Sequence, residues 1–202
     1  MFELSDNLKV NTEIFQGSKI FTIDNFYENP DEVSNYLFKE PAPLHKLYED
    51  GFTYNNVLFE DRRLEVFNSK LKPVVNFLSD LASQKPLSYD TITNQARFCN
   101  DDFNDYKNCN WWPHRDDGYN AIVYFNDECG TNLYSPDHVD ELSHEHKDPW
   151  IQKGKYQVLK TLEPKFNKLV FFDGLKFPHG MDISNDTYFD KFRYNQVFFF
   201  DA

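Results

Sequence analysis

The sequence predicts a mainly β domain with supporting α-helices toward its N-terminus, and three observations carry that expectation. Aromatic residues make up 18% of the chain, with 21 Phe and 12 Tyr, a composition that suits a β-rich interior. Short strand-like runs bounded by turn formers fill the chain from residue 91 onward: Thr91 to Phe98, Asn120 to Phe125, Lys168 to Phe172 and Val197 to Phe200. Helical periodicity is confined to two stretches of the first half. At 202 residues the chain is long enough to bury one sizeable core. No repeat, low-complexity segment or Gly/Ser-rich linker divides it, so residues 1–202 read as a single domain.

Taken in order, Lys19 to Ile23 reads as a strand ended by Asp24-Asn25. Asn29-Pro30-Asp31-Glu32 has the marks of a helix start: a capping side chain, proline at the first helical position, and acids where the helix dipole favours them. Val33, Tyr36 and Leu37 give that helix an apolar stripe, and Pro41-Ala42-Pro43 stops it. From Leu44 to Glu60 the pattern is irregular, with His45 read as an exposed loop histidine. Leu64, Phe67, Leu71, Val74, Val75, Leu78 and Leu81 recur at helical spacing. They predict a helix over 62–83, kinked or restarted at Pro73 and packed on one face of a sheet. Thr91 to Phe98 follows as a strand, from which Arg97 either looks into a pocket or makes an edge salt bridge. Asn100 to Asn110 is polar and turn-rich and reads as a mobile loop; it lacks the Asp/Asn register, central Gly and terminal Glu of a Ca²⁺ loop.

The stretch from Trp111 to Tyr134 opens the chemistry. On an extended strand His114 and Asp116 point to one face and Arg115 to the other, so one imidazole and one carboxylate converge. A second imidazole has an obvious source in Phe177-Pro178-His179-Gly180, which follows the apolar run Leu169 to Phe172 and the turn-forming Asp173-Gly174. His114, Asp116 and His179 then have the composition of the facial triad that holds Fe(II) with positions left open. His-x-Asp alone is a weak pattern, equally compatible with a strand histidine beside a carboxylate; the order of the segments is what raises it. Trp111 and Trp112 are either aromatic walls for a substrate or packing residues. Ser135 to Gly154, with His138, His144 and His146, is read as an exposed insertion or lid and not as a zinc site, since its acids are scattered and it holds no cysteine. Lys155 to Leu162 and Lys168 to Phe172 read as strands. In the last strand Arg193, Asn195 and Val197 share a face. A buried guanidinium needs an anion, and the planar fork of Arg193 suits a carboxylate. That anion is a ligand's carboxylate or a structural one, and Lys191, on the same face, is an alternative anchor.

In this order the segments resemble the 2-oxoglutarate and Fe(II)-dependent dioxygenases, in particular the prolyl-4-hydroxylase-like group with its small bacterial and phage members. Five features carry the resemblance: FTIDNFYENPDEV; His114-Arg115-Asp116; IVYFNDECGTNLY; KLVFFDGLKFPHG; and RYNQVFFF. The similarity spans roughly Ser18 to Phe200. The resemblance implies a double-stranded β-helix, a cupin-like jelly roll, at 91–202 with an insertion at 135–154, braced by the strand and helices of 18–90. It implies His114, Asp116 and His179 as Fe(II) ligands and catalytic centre. It assigns the far carboxylate of 2-oxoglutarate to Arg193 and Tyr124, with Asn195 beside them, although Tyr124 also suits burial against the sheet. Trp112, Asp117 and Arg97 become the residues to face a substrate. The reaction implied uses O₂, converts 2-oxoglutarate to succinate and hydroxylates a substrate, with a protein or peptide residue slightly favoured over a small metabolite. Cys129 and Thr131 flanking a single Gly130 depart from the family's Gly-rich turn.

Composition narrows the setting. The net charge of −12 and pI near 4.8 argue against a nucleic-acid backbone as main partner, because phosphate neutralisation needs a basic face. Cys99, Cys109 and Cys129 read as reduced thiols. No basic region followed by an apolar core opens the chain and no apolar run has membrane-spanning length, so the expectation is a soluble cytoplasmic protein, in a host's cytoplasm if the chain is viral. Two rival readings stand beside the oxygenase: a cupin-like metal-binding module without oxygenase chemistry, which needs no Arg193 and Tyr124 facing the metal, and a non-catalytic interaction protein on a degenerate jelly roll.

Overall fold

A computed structural model describes residues 1–38, 44–46, 52–54, 57–64, 68–82, 89–98, 108–111, 113–135, 150–183, 187–189 and 191–201, with the backbone alone at 44–46, 52–54, 57–64, 68–69, 90, 94–98, 109, 150–151, 189 and 201. The chain opens with a hairpin of β1 (Lys9–Phe15) and β2 (Ser18–Asp24). Its two-residue loop, Gln16-Gly17, has φ of 47° and 77° at the two positions, the left-handed pair that a tight turn requires to match strand twist. Helix α1 (Pro30–Phe38) follows, then β3 (Leu44–Lys46), β4 (Phe52–Tyr54), β5 (Val57–Leu64), α2 (Asn68–Ala82) and β6 (Tyr89–Phe98). The remaining strands are β7 (Cys109–Trp111), β8 (Gly118–Tyr124), β9 (Thr131–Tyr134), β10 (Trp150–Gln152), β11 (Val158–Leu162), β12 (Lys168–Asp173), β13 (His179–Met181) and β14 (Arg193–Asp201).

These strands make two facing layers. The main sheet runs β1-β2-β12-β8-β14-β6-β5-β3, with β4 also on β5, and all of its pairings are antiparallel. The smaller sheet runs β11-β9-β13. An antiparallel bridge between His114 and His179 carries the chain beyond β7 to the free side of β13, and β10 pairs with β7. Sequence-distant strands lie side by side in both layers, which is the topology of a double-stranded β-helix. The fold is therefore the mainly β jelly roll expected, with α1 and α2 as its supporting helices.

Strand alternation divides the core. Ile122 and Tyr124 of β8, Val170 and Phe172 of β12 and Val197 of β14 face inward with Ile20, where they meet Leu133 and Leu162 of the smaller layer and Phe177 just before β13. Their neighbours Ala121, Val123, Leu169, Phe171, Phe198 and Phe200 face the other way, against Val33 and Leu37 of α1 and Leu71, Val74, Val75 and Leu78 of α2. The apolar periods of 2 in the strands and 3.6 in the helices thus meet on one surface and leave the other for the site.

Several local expectations need correction. Residues 62–64 complete β5 rather than opening a helix, because Arg62 and Arg63 pair with Thr93 and Ile92 across the sheet; non-local pairing overrides local periodicity there. Helix α2 begins at Asn68 and runs through Pro73 as one element, without a restart. The span read as irregular, 44–60, contributes strands β3 and β4 and the start of β5, and β1 was not expected at all. Cys109 and Asn110 belong to β7, not to a loop. The insertion does not reach 154, since Trp150–Gln152 pairs with β7; 136–149 and the loop residues 99–107 lie outside the described residues. Among the described residues no helix is long and apolar enough to cross a membrane.

Candidate metal centre

The segment between β7 and β8 and the first residue of β13 deliver the expected triad to one place. His114 and His179 are directly opposed across their bridge, each donating its backbone N–H to the other's carbonyl, at 2.9 and 2.8 Å. Opposed residues in an antiparallel pair project to the same face, and the two imidazole rings accordingly sit 4.5 Å apart between centroids. Asp116, two residues on, is fixed by its backbone N–H donating to the Gly174 carbonyl at 3.3 Å. That tie links the first ligand segment to the turn after β12. One ligand atom from each of His114, Asp116 and His179 lies within 4.8 Å of the others.

The donor set fits a divalent transition metal. His179 Nε2 is 3.1 Å from Asp116 Oδ2, close to the roughly 3 Å between neighbouring ligand atoms when bonds of about 2.1 Å meet at right angles. His114 Nε2 is 4.0 Å from the same oxygen, and His114, whose side chain is 36% exposed, forms the open side of the triad. His179 Nδ1 lies 3.0 Å from the Phe177 carbonyl. A carbonyl accepts only, so Nδ1 carries the proton and Nε2 keeps its lone pair turned to the site, the arrangement typical of a metal-ligating histidine. Phe172 packs edge-on against the His179 ring with centroids 5.0 Å apart. Burial alone raises the Asp116 carboxyl, but the neighbouring imidazole of His179, then that of His114 and the Asn120 donor, outweigh it and hold the carboxyl well below the usual carboxylate range.

Farther along the same interior face lies a second polar group. Arg193 is buried, with its Nε donating to the Cys129 carbonyl at 2.7 Å and Nη2 to the Gly130 carbonyl at 3.1 Å. Among the described residues it pairs with no carboxylate. Its guanidinium carbon sits 5.6 Å from the centre of the Tyr124 ring, and the Tyr124 hydroxyl lies 2.7 Å from Thr131 Oγ1. Burial pushes the Tyr124 phenol up to about 12, against the lowering influence of Arg193 and Thr131, so it stays an O–H group at neutral pH. Asn195 faces Tyr124 across the β14–β8 pairing, and among the described residues its buried Oδ1 has no hydrogen-bond partner.

The turn that cradles Arg193 explains the departure at Gly130. Cys129 adopts a left-handed φ of 54°, and a Cβ at Gly130 would lie 2.0 Å from the Leu162 carbonyl oxygen. Only glycine fits there, and the two carbonyls of this turn are the ones Arg193 binds. Lys191 is exposed and precedes β14, so the interior position belongs to Arg193. Of the substrate-facing expectations, Asp117 is exposed beside the triad, Arg97 lies on β6 with its side chain outside the described residues, and Trp112 lies outside them altogether. Trp111 is buried at 3% exposure and borders a cleft shared with Asn132, Tyr134 and Tyr156. The sequence reading missed Asn120 and Thr131. Asn120 donates through Nδ2 to Asp116 Oδ2 and lies 2.9 Å from His179 Nε2; its signal was parity, because Asn120, Ile122 and Tyr124 fall on one face of β8.

No family model matches the chain, and no curated protein matches it either. Among solved structures it is similar to a Pseudomonas putida prolyl-4-hydroxylase, at 10% identity and a TM-score of 0.43, over 96% of this chain and 92% of that one. It is similar to E. coli ycfD at 12% identity and a TM-score of 0.44, over 91% of this chain and 49% of that one. A third similar structure is JOX2 in complex with 2OG, Fe and JA, at 12% identity and a TM-score of 0.40, over 87% of this chain and 63% of that one. The chain thus spans about half the length of ycfD and under two thirds of JOX2. At identities and scores of this size the functional reading rests on the geometry of the site itself.

Proposed function

We propose that this chain is an Fe(II)- and 2-oxoglutarate-dependent oxygenase that hydroxylates a substrate, with a protein or peptide residue favoured over a small metabolite. The observation that carries the reading is the convergence of His114, Asp116 and His179, one lone pair from each within 4.8 Å, in the two-histidine, one-carboxylate set that suits Fe(II) with positions left open. The motif resemblance supplies the cosubstrate. Arg193 supports it: a buried guanidinium without a carboxylate partner among the described residues, on the same interior face as Tyr124, is suited to a carboxylate brought by a ligand.

In this reading His114, Asp116 and His179 hold the metal, and the Phe177 carbonyl fixes the tautomer and angle of His179. Arg193 and the Tyr124 hydroxyl bind the far carboxylate of 2-oxoglutarate, with Asn195 beside them. The apolar walls Ile122, Val170, Phe172 and Val197 exclude water between the two ends, which strengthens each polar contact inside. When bound, Fe(II) and 2-oxoglutarate would supply the activation of O₂, with 2-oxoglutarate losing CO₂ and one oxygen atom going to succinate and the other to the substrate. The test is an anaerobic titration of Fe(II)-loaded protein with 2-oxoglutarate, following the weak visible charge-transfer band of the chelate. The band is expected in the unmodified protein and absent in His179→Ala. No band in folded, iron-loaded protein would leave a metal-binding module and make Arg193 structural.

A further inference from the structure

Resting on the metal reading of the triad, we propose that Asn120 is a positioning residue of the metal centre, whose amide nitrogen bridges Asp116 and His179 and holds them at the separation a metal needs. Asn120 Nδ2 donates to Asp116 Oδ2 and lies 2.9 Å from His179 Nε2, and those two atoms are 3.1 Å apart. An ionised carboxylate only accepts, so the amide atom facing it is the NH₂ group. His179 Nε2 carries a lone pair, because Nδ1 donates to Phe177. Each N–H of the amide therefore engages one of the two lone pairs that a metal takes.

Two further observations show that the amide is held for this purpose. Asn120 is 1% exposed and, among the described residues, its Oδ1 is buried without a hydrogen-bond partner. An orphaned buried acceptor is costly, and among the described residues it is the contacts to Asp116 and His179 that offset it in this orientation. The second observation is the space left by Gly174. A Cβ there would meet Asn120 Nδ2 at 3.0 Å, its Cγ at 3.1 Å and the Gly118 carbonyl at 2.9 Å. The glycine that follows β12 thus makes room for the amide, and its own carbonyl ties down Asp116. A carboxylate oxygen has lone pairs for both an N–H donor and a metal. The Asp116 contact therefore persists in the metal-bound centre, while the His179 contact is exchanged for the metal.

The experiment is a Co(II) titration of the full chain, reading affinity and the visible d–d bands, for the unmodified protein, Asn120→Leu and Asn120→Ala. Leu keeps the size and removes both donors; Ala keeps the test open should the branched side chain disturb folding. Both variants are expected to bind Co(II) about ten- to a hundredfold more weakly, the usual cost of losing an outer partner of a metal ligand, and with altered d–d bands. A residue that only packs would lower thermal stability and leave affinity and bands in place, so equal or tighter binding by the variants overturns the inference. Folded unmodified protein that binds no Co(II) would overturn the metal reading itself, an outcome distinct from normal binding by all three proteins.

Discussion

Arg193 is a buried cation held by two backbone carbonyls and, among the described residues, by no anion. In the proposed reading its planar fork matches the far carboxylate of 2-oxoglutarate, and a lysine ammonium cannot reproduce that match. Arg193→Lys is expected to weaken 2-oxoglutarate binding to the iron-loaded protein by about 1.5–3 kcal/mol, roughly ten- to a hundredfold, the worth of a charged hydrogen bond. Unchanged affinity would remove Arg193 from the cosubstrate site. Tyr124 carries a second prediction, in pH. Its ordinary value is 10.0 and its buried value about 12, so between those limits the unfolded chain ionises while the folded one does not. Stability that is fully present below pH 10 is therefore lost as pH rises through this window, by roughly 2–3 kcal/mol. Denaturant unfolding of Tyr124→Phe should show a correspondingly shallower loss there than the unmodified protein. At this scale Arg193 was legible because strand alternation alone sends 193, 195 and 197 to one face. Asn120 was not, because its partners come from beyond β8: a ligand four residues earlier and another 59 later.

At the scale of elements, the turn between β8 and β9 joins the sheet to the site. Gly130 meets the Leu162 carbonyl so closely that any Cβ must push β9 away from β11. Because the Cys129 and Gly130 carbonyls hold Arg193, the same displacement would loosen the end of the site proposed for the cosubstrate. Gly130→Ala is expected to cost about 1–3 kcal/mol, a fall of at least a few degrees in Tm, together with weaker 2-oxoglutarate binding. A fall in Tm with binding untouched would detach the turn from the site. Elements that border the interior were readable, since β8, β12 and β14 are buried on both faces and show as unbroken apolar runs. Strands β3, β4 and β5 were not readable. Their pairing is supplied by one another and by β6, and a polar run such as Glu60-Asp61-Arg62-Arg63 announces no strand until its partner is known.

On the scale of the whole molecule, the main sheet is a partition. Its helix-facing side is ordinary apolar packing under α1 and α2, and its inward side carries the site, so stability and metal binding should separate by face. Leu78, buried in α2, lies on the far side of a sheet layer from the triad, and substitutions without shared partners act independently to within about 0.5 kcal/mol. Leu78→Ala is therefore expected to lower stability by about 2–5 kcal/mol and to leave Co(II) affinity within about twofold. Phe172→Ala removes a comparable amount of core, about 3–5 kcal/mol, but it also removes the ring packed edge-on against His179. It should weaken Co(II) binding as well, through a histidine freed to rotate. Measuring both variants by denaturant unfolding and by Co(II) titration below their transitions decides the matter. If the two lose metal affinity in the same proportion as they lose stability, the faces are not independent, and the centre is held by the fold as a whole instead of by the side chains that surround it.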